Sequence, residues 1–161
     1  MQKLQLITDY MLFDTISELD KQDQKLMNLA IASRKQAYAP YSNFSVGAAI
    51  LLDNDEIVIG SNQENAAYPS GMCAERVAIY SAGSKYPKNT ILKLAISASS
   101  SLKEITIPVA PCGACRQAIS EYEINQNTPI EIFFMGASGK IIKVNSLKDL
   151  LPLGFDKSFL K

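Results

Sequence analysis

Apolar and polar positions recur with two different periods along this chain, and the change of period divides it into elements. From Gln22 to Ala37, the residues Leu26, Leu29, Ala30, Ile31 and Ala37 fall at roughly helical spacing, and Tyr38-Ala39-Pro40 closes the run, predicting a first helix. Phe44 to Leu52 and Glu56 to Ser61 are β-rich, and Asp53-Asn54-Asp55 between them reads as the turn of a hairpin. Ala74 to Ala82 is apolar-periodic and predicts a second helix, and Leu92 to Ser97 predicts a strand that runs into the serine-rich loop ending at Ser101. Pro111 followed by Ala114, Arg116, Gln117, Ala118 and Ile119 reads as a helix start and good helix formers. Ile130 to Met135 and Ile141 to Val144 predict two strands about the turn Gly136-Ala137-Ser138-Gly139, and Ser146 to Leu151 a short final helix. At the other end, Leu4 to Phe13 is β-tolerant and loosely alternating, an extra strand or arm.

Strand runs interleaved with helices predict an α/β fold in which helices flank a mixed β-sheet in layers. At 161 residues the chain is expected to form a single domain, 1–161, large enough for a substantial core. Sixteen basic and sixteen acidic residues give a formal net charge of zero, so there is no electrostatic footprint for nucleic acid. Gln5 and Asp9 interrupt the apolar N-terminus and no other apolar run approaches a membrane span, so neither a signal peptide nor a membrane partner is expected. The odd cysteine count without a secretion signal fits a reducing cytoplasm.

The chemistry is concentrated in two short segments. Cys73-Ala74-Glu75 and Pro111-Cys112-Gly113-Ala114-Cys115 hold all three cysteines, and the chain has no histidine. A structural zinc site closes its tetrahedron with four protein ligands, whereas a catalytic site keeps three and leaves the fourth position open. Three thiols therefore make an open site for zinc or another thiophilic ion. Cys112 and Cys115, three apart at a helix start, share a face, and Cys73 is expected at the cap of the preceding helix. Both ligand groups then sit at helix N-termini, where the dipole favours thiolate over thiol. Glu75, two residues beyond Cys73, is placed to reach across to the open position as an acid/base group.

In this order, Tyr38-Ala39-Pro40-Tyr41-Ser42-Asn43-Phe44-Ser45-Val46-Gly47-Ala48, Asn62-Gln63-Glu64-Asn65-Ala66-Ala67-Tyr68, Cys73-Ala74-Glu75-Arg76 and Pro111-Cys112-Gly113-Ala114-Cys115-Arg116-Gln117 resemble the zinc-dependent cytidine deaminases of the small, homotetrameric, three-cysteine type. The resemblance runs from the first helix to Phe155 and makes residues 1–21 an N-terminal extension. It implies hydrolytic deamination of cytidine and deoxycytidine to uridine and deoxyuridine plus ammonia through a zinc-bound hydroxide, in pyrimidine salvage. It also implies one Zn2+ per chain on Cys73, Cys112 and Cys115, with Glu75 as the catalytic proton shuttle and Arg76 hydrogen-bonded to ligand sulfur. Substrate-binding roles fall to Phe44, Asn62, Glu64, Ala66, the Ala74 N–H and the Ala110 carbonyl, where the family has Ser or Thr. Tyr68 and Phe155 match positions through which neighbouring subunits of a homotetramer complete each other's pocket. A small nucleoside is the expected partner. Deamination of another aminated nucleoside or base, and a non-catalytic zinc-binding module, are the other readings of the same residues.

Overall fold

A computed structural model describes residues 1–160. Six strands form one mixed sheet: β1 (Met11–Phe13), β2 (Phe44–Leu52), β3 (Ile57–Ser61), β4 (Ile91–Ser100), β5 (Glu131–Met135) and β6 (Ile141–Val144). Their spatial order is β1-β6-β5-β4-β2-β3, with β4 and β5 parallel and every other pair antiparallel. Three helices accompany it: α1 (Lys21–Arg34), α2 (Ala74–Lys85) and α3 (Gly113–Gln126).

The period-2 pattern of the strands sorts the core into two layers. Ala48, Ile50, Leu52, Leu94, Ile96, Ile132 and Phe134 point to one side, where they pack with Ala74, Ala78 and Ile79 of α2 and Ile119 of α3. Ala49, Leu51, Ala95, Phe133 and Met135 point to the other, against Leu26, Met27 and Ala30 of α1. The sheet is therefore flanked by helices on both faces, the layered α/β arrangement expected. Burial of the central strands on both sides explains why they read as near-continuous apolar runs.

On the site side α2 is brought close by a small residue. A Cβ on Gly60 would stand 2.6 Å from both the Ala74 carbonyl oxygen and the Ala78 nitrogen, so only glycine lets the first turns of α2 rest on β3. On the opposite face α1 starts with Asp20, whose side chain accepts from the Asp23 N–H at 2.8 Å. The buried Asp23 carboxylate in turn pairs with Lys93 Nζ of β4 at 2.6 Å, fixing the helix over the sheet.

Four expectations need correction. The serines after Ser97 are not a loop: β4 runs on to Ser100, because pairing with β2 continues to Ser100 opposite Phe44. The first helix ends at Arg34, not Ala37, because Lys35, Gln36 and Ala37 turn off through i→i−3 bonds to Ala32, Ser33 and Arg34. Of the N-terminal run only Met11–Phe13 joins the sheet, pairing with β6, while residues 1–10 are exposed. The last predicted helix is a single 3-10 turn, Leu147–Asp149, capped by Ser146, too short a segment to sustain an α-helix.

Candidate active site and metal centre

The site lies at the carboxyl end of the parallel pair β4–β5, where α/β sheets place their ligands. Cys73 is the N-cap of α2 and Cys112 the N-cap of α3; neither side chain caps its own helix, so both thiols are free to face each other. Cys115 is fully buried at the third position of α3. The three Sγ atoms lie within 4.8 Å of one another, with Cys73 to Cys112 at 4.0 Å and Cys112 to Cys115 at 3.4 Å. Three ligands about 2.3 Å from a tetrahedral zinc ion would stand roughly 3.8 Å apart, so this spacing fits that ion.

The electrostatics also suit a cation. A hydrogen bond from Cys115, joined by those from Arg76 and Cys112, holds the Cys73 thiol down at about 5 despite its partial burial. Cys115 moves the opposite way, because it keeps its proton to serve Cys73 and because it is buried near Glu75. Arg76 Nη2 donates to Cys73 Sγ at 3.8 Å, and this bond raises the guanidinium's own pKa. Glu75 is 5 % exposed, and burial pushes its carboxyl above the ordinary range, with the Cys73 charge adding to the effect.

Around the thiols opens a cavity of 390 Å³ lined by Phe44, Asn62, Glu64, Cys73, Glu75, Ala110 and Cys112, closed by Val46, Ile96, Ala98 and Val109. It thus gathers residues from all four motifs. Asn62 is locked in place: its Oδ1 accepts from the Val46 N–H at 2.7 Å and its Nδ2 donates to the Phe44 carbonyl at 2.9 Å. A second cavity of 470 Å³ shares Asn62, Glu64 and Cys73 with the first and runs out past Arg76, Tyr41 and Tyr68. Ala74, at the first position of α2, is buried, and its backbone N–H belongs to the free first turn.

Three of the expected residues stand apart. Ala66 is exposed and lines neither cavity, in a turn that the Asn65 side chain closes onto the Ala67 N–H. Tyr68 is exposed at the rim, edge-on to Tyr41 at 6.0 Å. Phe155 is exposed on the C-terminal segment, where it stacks on Phe159 while its carbonyl accepts from Gln117 Nε2. Two residues carry more than their motifs announced. Arg116 ties the ligand loop down by donating to the Pro111 carbonyl at 2.9 Å and the Leu150 carbonyl at 2.7 Å. Ser42 bonds to Glu64, a contact that no local pattern signals.

A sheet carrying an open three-thiol site and a buried carboxyl at two helix N-termini defines a zinc hydrolase of the deaminase class. Residues 20–128 match the family model for the cytidine and deoxycytidylate deaminase zinc-binding region. A cytidine deaminase of Sporosarcina psychrophila is 37 % identical over 85 % of this chain and 93 % of its own length. One of Halalkalibacterium halodurans is 43 % identical over 82 % of this chain and 92 % of its own. The crystal structure of cytidine deaminase from Burkholderia pseudomallei superposes with a TM-score of 0.72 at 34 % identity, covering 85 % of this chain and all of that one. The chain belongs to the cytidine and deoxycytidylate deaminase family and is a zinc-dependent deaminase.

Proposed function

We propose that this chain catalyses the hydrolytic deamination of cytidine and deoxycytidine, releasing uridine or deoxyuridine and ammonia. The observation that carries the reading is the buried carboxyl of Glu75 on the wall of one cavity with the Cys73 and Cys112 thiols. Cys73, Cys112 and Cys115 would hold one zinc ion per chain, and Arg76 draws charge from Cys73, offsetting the donation of three thiolates to one divalent ion. Zinc bound there supplies Lewis acidity and lowers the pKa of water to about 7.

The protein groups do the rest. Glu75 moves a proton to ring N3 and later to the departing amino group, and a carboxyl whose pKa is raised by burial is suited to holding a proton near neutral pH. The Ala74 N–H donates to the pyrimidine carbonyl, the Ala110 carbonyl accepts from the amine, and Phe44 packs on the base. Asn62 and Glu64 take sugar hydroxyls, and the Glu64 charge disfavours phosphorylated substrates.

The assembly we infer is a homotetramer in which the exposed aromatics Tyr68 and Phe155 reach neighbouring pockets. Its setting would be pyrimidine salvage in the cytoplasm, where three free thiols stay reduced. The test is loss of ultraviolet absorbance when zinc-loaded protein meets cytidine and deoxycytidine. A fall with both is expected; no fall with either, at about one zinc per chain, overturns the function.

A further inference from the structure

The Glu64 carboxylate is held by an unusual number of donors for a side chain at the mouth of a cleft. Its Oε2 accepts from the Tyr41 N–H at 2.9 Å and the Ser42 N–H at 3.2 Å, and its Oε1 accepts from the Ser42 hydroxyl. The direction of that last bond is settled, because Ser42 Oγ itself accepts from the Phe44 N–H at 3.0 Å and so has its proton free for Glu64. A carboxylate offers about four acceptor positions. Oε2 is filled, and Oε1 keeps one.

Asn62 is committed in the same way. With Oδ1 on Val46 and one Nδ2 hydrogen on Phe44, it keeps a single free N–H. One acceptor on Glu64 and one donor on Asn62, both on the wall of the 390 Å³ cavity, match one hydroxyl, which gives one hydrogen bond and receives another. An unrestrained glutamate would spread its carboxylate over several rotamers, and ordering it on substrate binding would cost conformational entropy.

We infer that Ser42 is the positioning residue of this pocket: it aims the one open lone pair of Glu64 at a sugar hydroxyl, and selectivity for nucleosides that carry that hydroxyl depends on it. The inference rests on the nucleoside reading proposed above. Besides the bond from the Phe44 N–H to Ser42 Oγ, the loop has four backbone anchors. It is anchored by Tyr38 N–H to Asn62 O, Glu64 N–H to Tyr38 O, Asn43 N–H to Ala39 O and Ser101 N–H to Asn43 O, with Asn43 at φ +56° making the turn. Removing Oγ therefore releases Oε1 and leaves Glu64 to pivot on the two backbone donors at Oε2, and it takes the acceptor from the Phe44 N–H, while the four backbone bonds keep the loop in place.

Deoxycytidine and 2′,3′-dideoxycytidine differ by one hydroxyl and make the test. In S42A the KM for deoxycytidine is expected to rise about tenfold with kcat held within about twofold, while the KM for the dideoxynucleoside moves less than about twofold. S42T, which keeps the hydroxyl, should restore the wild-type values. E64Q should show the same substrate-selective loss, and adding S42A to E64Q should cost nothing further with deoxycytidine. An equal rise for both nucleosides, an unchanged KM for deoxycytidine, failure of the threonine variant to restore, or an additive double variant overturns the positioning role. Wild-type protein that converts neither nucleoside overturns the function instead, a result separate from these.

Discussion

Glu75, proposed above as the proton carrier, is buried and lies beside Cys73, and both circumstances raise its pKa. Its neutral isostere keeps the shape and removes the proton chemistry. E75Q is therefore expected to lower kcat by about 10²–10⁴-fold while metal analysis still finds about one zinc per chain, and retained turnover would remove Glu75 from the role. Its place beside the thiols was legible because Cys-Ala-Glu is a local pattern, as was that of Arg76, whose guanidinium reaches Cys73 from one turn along the same helix. Ser42 and Arg116 stand inside recognisable motifs, but their partners Glu64 and Leu150 are brought to them by the fold, so their work was not. Ala66 shows the converse: it sits in a motif, and a turn carries it away from the cavity.

Among the elements, those the pattern located best are those buried on both faces. The expected bounds of β2, Phe44 to Leu52, are those observed, since every residue from Gly47 on is buried and the flanking turns are polar. Ends that face solvent depart from the pattern, as at α1 and at the 3-10 turn Leu147–Asp149, where capping and short-range bonds decide and apolar spacing does not. Strand order was not legible either, because pairing of β1 with β6 joins the two ends of the chain. The Asp23 N–H lowers the pKa of Asp20 in the folded state, so the cap stabilises fully above an unfolded value near 3.9 and its contribution is lost as pH falls through the lower folded value. D20A should accordingly cost about 1 kcal/mol in urea unfolding at pH 7, and the gap from wild type should narrow as pH falls through the lowered folded value. At the other face of the sheet, G60A drives a Cβ into the Ala74 carbonyl and the Ala78 nitrogen. It should cost about 1–3 kcal/mol and, because the same turn carries Cys73 and Glu75, reduce activity by more than the stability loss explains.

For the molecule as a whole, the three thiols are the place where the two helices on one face of the sheet are joined at their tips. Cys73 comes from α2 and Cys112 and Cys115 from α3, and below them the helices already share a packed layer of Ala78, Ile79, Ala82 and Ile119. A domain with two such layers keeps its fold without metal, so the ion adds stability in proportion to its binding and does not create the structure. With zinc at about 100–1,000 times its Kd the gain is about 3–4 kcal/mol, and for a chain of this length chelation should lower Tm by roughly 10 °C. Calorimetry with and without a chelator reads this directly. Re-addition of zinc should restore Tm in wild type and in E75Q alike, since Glu75 is not a ligand, whereas C112S should melt at the chelated temperature whether or not zinc is supplied. A wild-type Tm indifferent to chelation would mean that the three cysteines hold no ion in the folded protein, and the active site argued from them would fall.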